Sequence, residues 1–156
     1  MFSSITDKIN QTFNILTSNA SNESNASSEN TTDYSECKFI LKFRKQKLET
    51  RLKIYNEIFM KHPDRIPMIV DTRKELVIDK NKYIVPKDLT IGQFTYMLKK
   101  RLKINQNDAI YLICNNKLLV HSHTIAQVYY ANKDSDDFLY VIIAAENTFG
   151  NNKNIV

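Results

Sequence analysis

Glycine is nearly missing from this chain, with only Gly92 and Gly150 among 156 residues. The sequence accordingly offers no glycine-rich phosphate-cradling loop. It also shows no Ser/His/Asp constellation or paired acids on a glycine-rich site, so it is not expected to be an enzyme or to carry a cofactor. Cysteine is as sparse. Cys37 and Cys114 lie far apart and outside any Cys-x-x-Cys arrangement, which argues against a disulfide framework or zinc site and for a reducing compartment. No window approaches the roughly 20 apolar residues of a membrane span, and the N-terminus lacks the continuous apolar core of a signal peptide. The expectation is a soluble, cytoplasmic protein.

What the chain does have is charge, unevenly placed. Its net charge is +5. Residues 1–37 carry one Lys against five acids, whereas residues 38–65 carry nine Lys and Arg against three acids. The second stretch is the expected contact surface for an acidic partner or an anionic membrane. Lys99-Lys100-Arg101-Leu102-Lys103 is also basic, with aromatics nearby as on RNA-binding surfaces. It reads as a solvated helix face, and no nucleic-acid partner is expected. His121-Ser122-His123 has the spacing of metal ligands on a strand, but no third ligand stands near it in sequence, so no metal is expected.

Composition divides the chain into parts. Residues 17–34 are almost only Ser, Asn, Thr, Ala and acids, too little apolar area to offset chain entropy. Residues 1–37 are therefore expected to be a mostly disordered arm. Within residues 17–34, four Asn-x-Ser/Thr sequons, at Asn19, Asn22, Asn25 and Asn30, follow from that enrichment. Ahead of them Phe2, Ile5, Ile9, Phe13 and Leu16 recur at steps of three and four, the spacing of a short amphipathic helix that forms on contact.

A single domain is expected over 38–145, with a flexible tail over 146–156. Leu48, Leu52, Tyr55 and Phe59 keep helical spacing, Ile54 and Ile58 widen the stripe, and Pro63 ends it. Met68-Ile69-Val70 predicts a strand, and 76–86 a second one through Tyr83-Ile84-Val85. Thr90-Ile91-Gly92-Gln93 is a capping box opening a helix marked by Phe94, Met97/Leu98 and Leu102. Residues 109–114 predict a strand closed by a turn at Asn115-Asn116. Thr124-Ile125-Ala126-Gln127 is a second capping box before Val128 and Tyr129, and the near-continuous apolar run 138–145 predicts a strand buried on both faces in the middle of a sheet. This order gives an α+β class with a helix crossing a mixed sheet.

Several blocks go further. Lys61-His62-Pro63-Asp64-Arg65-Ile66-Pro67-Met68-Ile69-Val70, then Lys82-Tyr83-Ile84-Val85-Pro86-Lys87-Asp88-Leu89-Thr90-Ile91-Gly92-Gln93-Phe94, then Asn115-Asn116, and finally Asp137-Phe138-Leu139-Tyr140 with Phe149-Gly150 occur in one order. Together they resemble the GABARAP-type autophagy modifiers, ubiquitin-like proteins of the Atg8 class, over roughly residues 38–150. The resemblance implies a β-grasp core preceded by two additional helices.

It also implies a fate for Gly150. In that family a cysteine protease cuts after the glycine, and an activating enzyme adenylates the exposed carboxylate and takes it as a thioester. A conjugating enzyme then passes it to the amine of phosphatidylethanolamine, so the protein is expected on autophagosomal or vacuolar membranes after lipidation. A residue without a side chain lets the protease's Cys and oxyanion donors approach closely. Phe149 matches the aromatic usually found before it.

The resemblance further implies docking of cargo-receptor peptides with an aromatic-x-x-aliphatic core, added as a strand to a sheet edge. Ile58, Pro67, Ile69, Ile84 and Phe138 would line an aromatic pocket. Tyr83, Val85, Pro86, Leu89, Phe94 and Met97 would line an aliphatic one, with Lys80, Lys82 and Arg65 holding flanking acids. Ile54 replaces an acid that relatives often place at the first pocket's rim, which would make that pocket greasier. Phe13-Asn14-Ile15-Leu16 and Phe2-Ser3-Ser4-Ile5 share the spacing these pockets would accept. The alternative is a β-grasp interaction module that is never conjugated.

Overall fold

The structure is a computed structural model that describes residues 33–73 and 76–146. Gly150, Phe149 and the apolar stripe from Phe2 to Leu16 lie outside the described residues. Within them four helices and five strands follow in the order α1 (Lys38–Arg44), α2 (Leu48–Lys61), β1 (Arg65–Thr72), β2 (Lys82–Pro86), α3 (Ile91–Arg101), β3 (Ile110–Cys114), β4 (Lys117–Leu118), α4 (Ile125–Asn132) and β5 (Leu139–Ala145).

The strands form one mixed sheet in the order β2-β1-β5-β3-β4. As its unbroken apolar run predicts, β5 is central, parallel to β1 and antiparallel to β3. β1 changes partners along its length. Arg65 to Ile69 pair with β2, and Met68 to Thr72 with β5. Pro67 falls before the β5 pairing begins, so its missing N–H removes no bond from the ladder to β5. This is how a proline sits in a strand that becomes internal.

The two faces of the sheet are covered by different helices. Tyr83 meets Phe94 of α3 edge-on at 5.5 Å, and Met68 is its partner in β1. Ile69, the next residue, is in register with Tyr140, whose ring is 6.4 Å from that of Phe43 in α1. Successive strand residues point to opposite faces, so α3 lies on one side and α1 with α2 on the other. Phe138 meets both Phe43 and Tyr55 edge-on, closing the core between the sheet and the two leading helices.

The buried stripe of α2 is rotated from the one its apolar spacing predicts. Arg51, Ile54, Tyr55 and Ile58 are buried, while Leu48 and Phe59 are exposed. Arg51 goes inward because Asp136, wholly buried, meets its guanidinium at 2.7 Å. A charge that finds such a partner counts as a core residue, which hydrophobicity alone does not reveal. The packed body also starts earlier than Lys38, since Tyr34 and Cys37 are buried. The first turn of α1 has no side-chain cap of its own, and Asp71 of β1 supplies one. Its Oδ2 accepts from the N–H groups of Phe39 and Ile40 at 2.8 and 3.0 Å.

β2 is shorter than the predicted 76–86 run: Leu76 to Asn81 lie outside it, and Val77 is almost fully exposed. Asn81 ends the excursion, donating through Nδ2 to the Val70 carbonyl and accepting through its own carbonyl from Val70 N–H. Both capping boxes form, Thr90 with Gln93 and Thr124 with Gln127. Asn115 and Asn116 take φ of 49° and 60°, the conformation that a two-residue hairpin demands and asparagine tolerates. Gly92 has a packing role. A Cβ there would lie 3.3 Å from the His121 carbonyl oxygen, which accepts the Gly92 N–H at 2.9 Å.

Candidate functional site

β2 lies at an edge of the sheet, and among the described residues only β1 pairs with it. No described strand lies beyond it, and a strand edge of this kind is where an extended segment can join a sheet. Lys82 shares a face with Phe39 of α1, its Nζ 5.8 Å from the ring centre. By alternation Ile84 points to the α1–α2 side, while Tyr83 and Val85 point to the α3 side. A strand added at this edge would have one apolar region above it and another below.

The expected aromatic-pocket residues do come together. Pro67 is in register with Ile84, Ile69 with Lys82, and Phe138 packs against Tyr55 on the turn that leads to Ile58. They are also packed shut. Ile58, Ile69 and Phe138 are at most 1% exposed, so an aromatic side chain enters only if α2 or its side chains yield. Ile54 is buried in the same core rather than standing at a rim. On the other side Phe94 is buried under Tyr83, Pro86 and Leu89 are half-buried, and Met97 is 49% exposed. Met97/Leu98 is thereby resolved: Leu98 faces the core and Met97 the outside.

The three expected cations do not form one cluster. Lys82 is opposite Ile69 at the start of β2, whereas Arg65 is opposite Pro86 at its end. Four residues of strand separate these points, ~13 Å. Lys80 stays with the Lys82 end, its Nζ 4.9 Å over the Tyr83 ring. Burial holds the Lys82 ammonium below the usual lysine pKa, and the charge of Lys42 in α1 adds to the effect.

Three residues belong beside this edge that sequence reasoning did not select. Phe39 and Lys42 flank Lys82 from α1. Phe59, 37% exposed, stacks on Tyr55 at 6.0 Å and lies 5.5 Å beneath Lys87. Each is brought to β2 by tertiary packing, and no local pattern marks it. At the far end of the sheet β5 leads toward the tail. Glu146 N–H donates to the Ala109 carbonyl at 3.0 Å, leaving three residues before Gly150.

A family model described as "Autophagy protein Atg8 ubiquitin like" matches residues 50–150. Autophagy-related protein 8e of Arabidopsis thaliana is 42% identical over 111 residues, covering 69% of this chain and 87% of that protein. Autophagy-related protein 8B of Oryza sativa subsp. indica is 44% identical over 106 residues, covering 66% and 89%. Among solved structures, Trypanosoma brucei ATG8 superposes with a TM-score of 0.62 at 32% identity, covering 66% of this chain and 91% of that one.

Proposed function

The chain belongs to the Atg8 family of ubiquitin-like autophagy proteins, and from that premise we propose that it is a lipid-conjugated modifier that docks short receptor peptides on β2. It acts as substrate and tag rather than as a catalyst. A cysteine protease hydrolyses the bond between Gly150 and Asn151, releasing residues 151–156. An activating enzyme adenylates the Gly150 carboxylate and captures it as a thioester. A conjugating enzyme takes the acyl group onto its own thiol by thioester exchange, freeing the activating enzyme's thiol, and then transfers it to the amine of phosphatidylethanolamine with its thiolate leaving, which places the protein on autophagosomal or vacuolar membranes.

The family match runs to residue 150, which supports Gly150 as the terminus that matters. Three residues separate it from Glu146, four Cα–Cα steps with a reach of at most ~14 Å, so an enzyme cleft can receive the glycine without engaging the sheet.

One observation carries the docking half: among the described residues β2 is an edge strand paired with β1 alone, with the α1–α2 layer on one face and α3 on the other. In an extended peptide residues i and i+3 point to opposite faces, whereas i and i+2 share one. An aromatic-x-x-aliphatic peptide therefore delivers one apolar side chain to each layer while its main chain bonds to β2. Lys80 and Lys82 at one end and Arg65 at the other favour acids on either side of its core.

The conjugation half is tested by the mass of the chain after exposure to cell extract, beside Gly150→Ala. Loss of residues 151–156 from the glycine form alone is the expected result. An intact wild-type tail with retained peptide binding would leave a docking module that is never conjugated.

A further inference from the structure

Of the cations in Lys99-Lys100-Arg101-Leu102-Lys103, the arginine is already engaged. Arg101 donates to the exposed Asp79 twice, from Nε to Oδ1 at 3.2 Å and from Nη2 to Oδ2 at 2.9 Å. The three lysines turn elsewhere, and among the described residues no carboxylate forms an ion pair with any of them. With Tyr96, Ile104 and Gln106 they line a cavity of about 410 Å³ at the end of α3. Tyr96 is 57% exposed, and the Lys100 ammonium lies 5.5 Å from the centre of its ring. Lys99 Nζ donates to the Gln106 carbonyl at 2.8 Å, which fixes the opposite wall.

The helix ends on a lysine where helices ordinarily place glycine. Lys103 has a φ of 52°, its N–H donates to the Lys100 carbonyl at 3.3 Å, and Ile104 N–H donates to the Lys99 carbonyl at 3.1 Å. This is a Schellman closure with a side chain strained into its left-handed position. The strained residue keeps a third ammonium at the cavity. The closure also occupies two carbonyls that would otherwise turn the negative end of the helix dipole toward an anion.

We propose that this cavity binds the phosphomonoester headgroup of an anionic phospholipid, such as a phosphatidylinositol phosphate, and so sets which side of the protein faces a membrane. A phosphomonoester concentrates about −1.5 to −2 charges on three oxygens, which suits three ammoniums around one concavity. A half-exposed tyrosine, apolar in its ring and polar at its tip, suits the layer where headgroups meet acyl chains. Position favours a lipid over a soluble phosphate. Lys103 and Ile104 also line a neighbouring cavity whose far wall includes Ala109 and Glu146, where the chain runs off the sheet toward Gly150. The acids Asp108 and Glu146 lie on that far side, so the lysines confine the positive charge to the end of α3. This deepens the membrane reading above, because a lipid carried on the tail would bring the lysine cavity to the headgroup layer. The site itself needs no conjugation.

The unconjugated full chain therefore tests it, and a failure of conjugation reads out separately. Co-sedimentation is measured with phosphatidylcholine vesicles carrying a phosphatidylinositol phosphate and with phosphatidylserine vesicles of matched charge. Preference for the phosphorylated lipid is expected; equal binding to both, or binding to neither, overturns the proposal. Lys100→Gln/Lys103→Gln should weaken partitioning about thirtyfold, at about fivefold for each lysine beside an anionic surface. Lys45→Gln/Lys53→Gln removes as much charge from exposed positions on the α1–α2 side and should stay within about twofold of wild type. Equal losses in the two variants overturn the site. Lys103→Gly relieves the left-handed strain, so it should melt no lower than wild type while binding about fivefold more weakly. Unchanged binding in that variant would also count against the proposal. Amide shifts on adding a soluble inositol phosphate should centre on Tyr96 to Gln106. Saturation by inorganic phosphate at the same concentration, or tighter binding of a single-stranded RNA at these residues, overturns the lipid assignment.

Discussion

Arg51 and Asp136 form a buried ion pair at 2.7 Å that joins the first turn of α2 to the loop entering β5, and Tyr140 donates its hydroxyl to the same carboxylate. Burial pushes the Asp136 carboxyl above its ordinary pKa, against the pull of the Tyr140 hydroxyl and the Arg51 charge. Arg51→Met leaves that carboxylate buried without its cation, an expected loss of about 3 kcal/mol in urea unfolding at neutral pH. A carboxyl with a raised folded pKa contributes stability that is complete below the unfolded value and lost as pH rises through the folded one. Removing Arg51 raises the folded value further, so the deficit of the variant should grow from acid to neutral pH.

Asp134 behaves oppositely. Burial alone would raise it, but the hydrogen bond and charge of Arg44 outweigh burial and hold it below the usual carboxylate range. Its stabilisation is present above the unfolded pKa and is lost as pH falls through the lower folded one. Asp134→Asn should therefore be less stable than wild type at neutral pH and converge with it in acid. Parallel unfolding curves across that range check the sign.

Burial holds both thiols near a pKa of about 12, with the Asp71 charge adding at Cys37 and that of Asp134 at Cys114. Neither should react with an aromatic disulfide reagent in the native protein, and both should react in concentrated guanidinium. Asp71→Ala removes the cap that holds α1 on β1, and in that variant Cys37 should become reactive while Cys114 stays protected. Mass spectrometry after labelling distinguishes the two.

Peptide spacing should matter more than composition. Moving the aliphatic residue from i+3 to i+2 puts both apolar side chains on one face and strands one of them, a loss of about 1.5 to 3 kcal/mol or roughly tenfold or more in affinity. Lys82→Glu should weaken an acidic peptide by about tenfold, with a smaller effect in high salt. Calorimetry with the matched peptide pair measures the first, and the same titration at two ionic strengths the second.

Much of this was readable in the sequence, unevenly. The two capping boxes, the Asn115-Asn116 turn and the central β5 followed from local chemistry that tertiary packing had no reason to override. The face of α2 did not, because Arg51 goes inward only when Asp136, eighty-five positions later, is there to receive it. β2 was overextended because Leu76, Val77 and Ile78 have strand composition but stand beyond the pairing with β1. Resemblance selected the residues along the docking edge, and alternation explains why they divide between two layers. Phe39, Lys42 and Phe59 escaped because their role is set by proximity across the fold.

The parallel pairing of β1 with β5 has a mechanical consequence. Five register pairs from Met68–Leu139 to Thr72–Ile143 join a strand reached from the N-terminal side to one that runs out toward Gly150. Tension between the start of β1 and the end of β5 loads those pairs together, in shear, instead of opening them one at a time. The Asp71 cap on α1 gives way first under such a pull, since it rests on two hydrogen bonds where the sheet presents five register pairs. A molecule held by its tail and hauled by its arm would thus yield a leading helix as slack while the sheet bears the load.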